Sequence, residues 1–153
     1  MREILFRGRT ISTGEWVEGG IMKTFHPNYD HKSEDDFYNR TPNCYCICAN
    51  CKDYFVEQKT IGQYTGLTDN NGTKIFEGDI VKAFVIYNER FQDSVKKVKA
   101  VYEIKYHEKY CYFYLARKNI NVLFDGNWNY GVVGYEVVGN IHDNKLEDFE
   151  NGC

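Results

Sequence analysis

The chain has 153 residues, of which 42% are hydrophobic and 27% charged, and its formal net charge is −3. A chain of this length can build one domain with its own core, and its small negative charge argues against coating nucleic acid over the whole surface, which needs many Lys and Arg side chains. No apolar run approaches the roughly 18 residues of a membrane span, and residues 1–10 lack the apolar segment of a signal peptide. We therefore expect a cytoplasmic protein whose six Cys are thiols or metal ligands rather than disulfides.

The aromatic content favours β-structure. The chain has 13 Tyr and 10 Phe but only 2 Pro, and aromatic rings pack well on a pleated sheet. Residues 4–6 predict a first strand and residues 16–23 a second, with a turn over residues 12–16. Residues 25–53 contain both prolines and an acidic group, Glu34, Asp35 and Asp36. We interpret them as a long irregular insertion.

The most distinctive stretch is "TIGQYTGLTDNNGTKIFEGDIV", residues 60–81. Asn71-Gly72 is the preferred pair for a type I′ turn, and Gly78-Asp79 predicts a corner in which the carboxylate bonds neighbouring backbone amides. We interpret the stretch as scaffold, because Gly at forced turns is the expected use of Gly. In the functional alternative, Gln63, Tyr64 and Thr65 are presented to a partner.

A clear β-pattern follows. Between residues 95 and 106 apolar and polar side chains alternate, which indicates a half-buried strand; its apolar face would hold Val98, Ala100, Tyr102, Ile104 and Tyr106. Residues 110–116 predict a central strand in which Cys111 is a small buried hydrophobe. Residues 120–124 and 135–141 predict two more strands, and the tail predicts a helical turn starting near Asp143 or Asn144. The whole pattern is typical of a barrel or sandwich.

Three blocks resemble the YopX family of phage and prophage proteins. They are "MREILFRGRTISTGEWVEGGI", residues 60–81 and "YEVVGNIHDN", in the order in which the family has them. The resemblance implies a mostly β protein with an SH3-like barrel component, and we expect residues 60–81 to form a hairpin and a corner of that barrel. The family brings no established catalytic activity. It also implies a single YopX-like domain over residues 1–153, with the insertion at about 25–53. The motif residues are Gly62, Gln63, Tyr64, Thr65, Gly66, Asn71, Gly72, Gly78 and Asp79.

A cysteine cluster lies in the predicted insertion, at Cys44, Cys46, Cys48 and Cys51. The last two have the spacing of a zinc knuckle. A structural zinc site normally takes a second pair a dozen or more residues away, and the chain has no second pair of this spacing. Free thiols are therefore the favoured interpretation, and a structural zinc ion is the alternative.

A basic patch is predicted on the polar face of the alternating strand, at Lys97, Lys99 and Lys105, near Phe91 and Tyr110. Small barrels bind single strands with such cations and with stacking rings, whereas Lys on a strand also prevents wrong edge pairing. The sequence favours the second interpretation. It predicts a non-enzymatic accessory protein that forms a homo-oligomer and binds a host or phage protein; the alternative is a nucleic-acid-binding barrel.

Overall fold

The computed structural model describes residues 3–25, 43–88, 95–117, 120–123 and 130–150. It confirms a mostly β protein, because strands dominate these residues and the helices among them are two single turns. The chain divides into two compact units, Met1–Gln63 and Tyr64–Cys153. None of the helices in the described ranges has the length and hydrophobicity required to cross a bilayer.

The first unit is an antiparallel sheet. Its strands are β1 (Phe6–Arg9), β2 (Trp16–Phe25), β3 (Asn43–Ala49) and β4 (Lys52–Val56), and a 3₁₀ helix (Gln58–Thr60) leads into β5 (Gly62–Thr68). The neighbour order is β4-β3-β2-β1-β5, and the first two residues of β5 pair with β1. An isolated bridge joins Thr10, just after β1, to Val56 at the end of β4.

The core of this unit forms where β3 and β4 approach β1. Ile47 and Val56 are buried, and both lie against Gly8, at which a Cβ would stand 3.1 Å from each side chain. At Gly19 a Cβ would overlap the carbonyl oxygen of Cys48. The glycine in β2 thus lets the β3 backbone come close, since any larger residue would push it away.

The prediction of an irregular insertion is wrong for residues 43–53, which form β3, a turn and the first two residues of β4. The two strands pair antiparallel from Tyr45↔Val56 to Ala49↔Lys52. The turn between them is Asn50-Cys51, with φ of 51° and 61°, which is the two-residue type I′ connection of a hairpin. Residues 26–42 of the predicted insertion lie outside the described residues.

The second unit contains the rest of β5, paired with β6 (Lys74–Phe76), and a five-stranded antiparallel sheet. That sheet consists of β7 (Asp79–Asn88), β8 (Val95–His107), β9 (Tyr112–Arg117), β10 (Ile120–Leu123) and β11 (Tyr130–Asn140) in the order β10-β9-β8-β7-β11. A one-turn helix, α1 (Glu147–Glu150), follows. It confirms a helical turn in the tail, but begins later than predicted because Asn140 to Asn144 form a turn first.

The core of the second unit confirms the alternating pattern. Ala100, Tyr102 and Ile104 of β8 are buried in one cluster, and Tyr106 packs against it. The remaining buried members of the cluster are Ile75, Val81, Ala83, Phe113 and Leu115. Val101, which breaks the alternation, is also buried.

The prediction for Cys111 is wrong. Its side chain is exposed and its φ is 54°, because residues 108–111 form the turn that joins β8 to β9 and the strand starts only at Tyr112. The apolar residues around Cys111 favoured a strand at this position, and the turn was therefore not predicted.

Candidate functional site

The corner of the central motif is fully occupied by contacts inside the second unit. Gly78 has φ 81°; its N–H donates to the carbonyl of Ile104 (2.9 Å) and its carbonyl accepts from the N–H of Ile141 (2.9 Å). Asp79 is 1% exposed. Its Oδ2 accepts from the backbone N–H of Phe76 (2.8 Å) and its Oδ1 from the side-chain amide of Asn140 (3.2 Å). The carboxylate therefore serves the corner, as the sequence predicts.

Asp69 plays a similar part in the preceding turn. Its Oδ1 accepts from the N–H groups of Asn71 and Thr73, both at 2.8 Å, and its Oδ2 accepts from the N–H of Val137 at 3.1 Å. Burial raises the pKa of Asp69, but the hydrogen bonds from Thr73, Val137 and Asn71 outweigh it and hold the pKa below its usual value. The carboxylate thus stays ionised while it ties the turn to β11.

The turn itself differs from the predicted type. The N–H of Gly72 donates to the carbonyl of Asp69 (3.1 Å), and Gly72 has φ 84°, whereas Asn71 is not among the residues with positive φ. A single left-handed residue at the end of the turn is typical of a three-residue hairpin loop with a bulge. The type I′ prediction at Asn71-Gly72 is therefore wrong.

The start of the motif is mostly interior. Tyr64 and Thr65 are buried, and the Thr65 hydroxyl donates to the carbonyl of Ile75 (2.9 Å). Gln63 pairs with Phe6 of β1, Gly62 is buried, and Gly66 has φ 90°. Buried Tyr64 and Thr65 side chains are poorly placed for the alternative in which this stretch meets a partner.

The most prominent outward group lies instead on the hairpin of β8 and β9. We call it the aromatic face; it consists of His107, Tyr110, Tyr112 and Tyr114. The His107 ring lies 4.8 Å from the Tyr110 ring, 5.3 Å from the Tyr112 ring and 6.1 Å from the Tyr114 ring, centroid to centroid. Tyr110 is 61% exposed, so one end of this group is open to solvent.

Cations flank the aromatic face. Lys105 lies directly across from Tyr114, and the Lys109 Nζ lies 5.2 Å from the Tyr110 ring centroid. Lys99 is exposed on the same side of β8, with its Nζ 5.5 Å from the Phe84 ring centroid. The side chain of Lys97 and the whole of Phe91 lie outside the described residues. Two of the three predicted lysines thus share one face with the rings.

The cysteines lie on and beside β3. Cys46 is 1% exposed, and Cys48 Sγ donates to Asp53 Oδ1 across the hairpin (2.7 Å). Cys51 is exposed in the turn. Burial raises the pKa of Cys46, and the hydrogen bond to the Asp53 carboxylate raises the pKa of Cys48, so both thiols hold their protons. The described ranges, which include all four cysteines, contain no group of three or more His, Cys, Asp and Glu side chains placed to hold a metal ion. The structure therefore does not bring Cys44, Cys46, Cys48 and Cys51 together as zinc ligands.

Sequence reasoning missed two features of the second unit. One is the bond from Val137 to Asp69, which joins residues 68 positions apart. The other is the clustering of the rings around His107, for which the two-residue spacing of Tyr110, Tyr112 and Tyr114 was a signal, because it places Tyr112 and Tyr114 on one side of a strand.

Comparison with known proteins gives a family and a similar solved structure. The model of the YopX family, described as "YopX protein", matches residues 5–147. The chain is similar to the crystal structure of protein EF1440 from Enterococcus faecalis, with 21% sequence identity over 94% of this chain and 96% of that chain and a TM-score of 0.43. No curated protein matches the chain. Since the family model spans nearly the whole sequence, the chain belongs to the YopX family.

Proposed function

We propose that this chain is a non-enzymatic accessory protein of a phage or prophage that acts by binding or assembly in the bacterial cytoplasm. The engagement of two of the three carboxylates in residues 60–81 carries the proposal. Asp69 and Asp79 are both buried and accept hydrogen bonds from backbone or amide groups of their own unit. A catalytic carboxylate needs access to a substrate proton, whereas these two serve the corner and the turn.

The proposal includes the SH3-like barrel that the family resemblance implies. We assign it to the first unit rather than to residues 60–81, most of which belong to the second unit. A barrel forms when the edge strands of a sheet meet. The Thr10–Val56 bridge brings β4 beside the segment that follows β1, and two hydrogen bonds of 2.9 Å flank it, from Ile11 to Phe55 and from Glu57 to Arg9. β2 pairs with β1 from Trp16 to Gly19 and with β3 from Gly20 to Phe25, so it would contribute to both halves of such a barrel.

The proposal also includes a homo-oligomer that recognises a host or phage protein. Light scattering on the purified protein at high concentration tests assembly. We expect a mass that is a multiple of 18.0 kDa, and a single species at the monomer mass would refute the homo-oligomer.

Capture from a lysate of lysogenic bacteria tests binding. The immobilised wild-type chain is compared with the surface variant Tyr110→Ala and with Lys59→Gln, whose side chain is 77% exposed in the first unit. Half of each lysate is treated with nuclease, so that protein partners are separated from those held by nucleic acid. A chain that retains no component above the level of a bead control, in either half, contradicts the binding function.

A further inference from the structure

We propose that the aromatic face, with Lys105 and Lys109, binds single-stranded nucleic acid. The inference goes beyond the protein partner of the proposed function, because it gives the same chain a second ligand of a different class. Binding of this kind needs aromatic rings on which bases stack and cations that meet the phosphates. The hairpin of β8 and β9 supplies both within one stretch of ten residues, 105–114.

The ring geometry suits base stacking. The Tyr110 and Tyr112 rings are nearly parallel, with an interplanar angle of 9° and centroids 6.2 Å apart. Tyr112 and Tyr114 meet edge to face, with an interplanar angle of 75°. These are favourable arrangements of aromatic pairs, so the rings support one another in place. Tyr110, being 61% exposed, offers a ring to a base that arrives from solvent.

The cations lie where the phosphates of a stacked strand would pass. The Lys109 Nζ lies beside the Tyr110 ring, and Lys105 is the strand partner of Tyr114, so a lysine belongs to each end of the aromatic face. Lys99 lies on the same side of β8, six positions before Lys105, and six steps along a strand span about 20 Å. That length accommodates several nucleotides, within the range of about 4–16 that small barrels bind.

The carboxylates near the face reduce its positive charge but do not cancel it. Glu103 lies 3.2 Å from Lys105, whose side chain is 45% exposed, and an ion pair at the surface is weak enough to exchange for a phosphate. Glu108 is exposed in the turn. Lys99 and Lys109 lie over rings, and because an aromatic ring carries no net charge, these contacts do not neutralise the two ammonium groups.

Two other occupants fit less well. In a symmetric dimer the same patch meets itself, so Lys105 and Lys109 of one copy would meet the equivalent cations of the other, which is unfavourable. In a duplex the base faces are stacked on one another and cannot reach the tyrosines. An exposed ring with neighbouring cations therefore favours a single strand.

Fluorescence anisotropy with labelled oligonucleotides tests the proposal. The probes are oligo-dT and oligo-U of about 12 nucleotides, within the expected site size, and a DNA duplex of the same length, each at low salt. We expect at least one single strand to bind more tightly than the duplex. We also expect the affinity to fall as salt rises, because each phosphate contact releases counterions.

Ring variants separate stacking from general charge attraction. Tyr110→Leu and Tyr112→Leu keep apolar volume but remove the π face, and each should lower the affinity by about 5- to 150-fold, the range of alanine substitutions at stacked bases. Tyr110→Phe and Tyr112→Phe should retain binding. Tyr54→Leu in the first unit and Lys59→Gln are the matched controls and should bind as the wild type does; thermal unfolding of each variant checks that it is folded.

Several results would overturn the inference. They are no binding at tens of micromolar protein at low salt, equal binding of Tyr110→Leu and wild type, or a duplex preference that the ring variants do not alter. Protein capture that survives nuclease treatment, together with any of these results, would leave the binding function in place while removing its nucleic-acid ligand.

Discussion

Replacing Asp69 by Asn should destabilise the second unit through one specific bond. Asn keeps the shape of Asp and one acceptor oxygen, which can still take the N–H groups of Asn71 and Thr73 that Oδ1 accepts at 2.8 Å. In the wild type, Oδ2 of Asp69 accepts from the N–H of Val137 at 3.1 Å. In the variant, the NH₂ group of Asn takes the place of Oδ2 and faces this N–H. Two donor groups that face each other cannot form a hydrogen bond, so the N–H of Val137 loses its acceptor.

The size of the effect follows from the partners. A hydrogen bond to a charged group contributes about 1.5–3 kcal/mol, so we expect Asp69→Asn to lower the free energy of unfolding by about 2 kcal/mol. This corresponds to about 4–8 °C in Tm for a chain of this size. Asp69→Ala removes the acceptor for all three N–H groups, and its cost should be larger, about 3–4 kcal/mol.

Urea denaturation between pH 7 and pH 3 is the assay. The folded-state pKa of Asp69 lies below its unfolded value, so its contribution to stability is present above the unfolded pKa of about 3.9 and is lost as the pH falls through the folded pKa. The difference in stability between wild type and Asp69→Asn should stay constant above about pH 5 and shrink below about pH 4.

The control is Asp148→Asn. Asp148 is exposed and bonds the nearby Lys145 N–H (2.9 Å), so its replacement should change stability by less than about 0.5 kcal/mol. The reasoning fails if Asp69→Asn is as stable as wild type, or if the difference between them is unchanged from pH 7 to pH 3.

Three further predictions concern the first unit. Cys51→Gly should raise the free energy of unfolding by about 1 kcal/mol, because a side chain at φ 61° is strained; an equal or lower urea midpoint would contradict this. Gly19→Ala should lower it by more than about 3 kcal/mol, because the new Cβ would overlap the Cys48 carbonyl oxygen; a variant that melts with the wild type would show that β3 can move away. Asp53→Asn should lower the pKa of Cys48, because the carboxylate that raises it is removed; the pH dependence of alkylation by iodoacetamide, followed by peptide mass spectrometry, should shift to lower pH, and an unchanged profile would contradict the Cys48–Asp53 interaction.

The sequence predicted best the features that depend on local pattern. Alternation placed Ala100, Tyr102 and Ile104 in the core because side chains on a strand point to opposite faces in turn. Asp79 was assigned to the corner because Asp bonds nearby amides, and its partner Phe76 is three residues away.

Predictions made from local composition were wrong where the backbone conformation differs from the one that the composition favours. The prolines and acids of residues 26–42 led to a predicted loop that extended to residue 53, yet β3 begins at Asn43. The chain forms a type I′ turn at Asn50-Cys51, although Asn-Gly is the favoured pair for that turn. Apolar letters around Cys111 suggested a strand, although its φ is 54°.

Features that depend on residues far apart in the sequence could not be predicted from it. The Asp69–Val137 bond joins the turn to β11, and no spacing rule links the two positions. The aromatic face likewise depends on the register that sets His107 opposite Tyr112, which only the pairing of β8 and β9 determines.

The position of β11 has a consequence for synthesis on the ribosome. β11, which pairs with one edge of β7, is made after β8, β9 and β10, whereas β8, which pairs with the other edge, is the next strand after β7 among the described residues. A nascent chain can therefore form the β7–β8 hairpin early. The edge of β7 that pairs with β11 stays open until residues 130–140 have left the exit tunnel. Until then the carboxylates of Asp69 and Asp79 lack Val137 and Asn140, and a stalled or truncated chain would expose the edge to its neighbours on the same message.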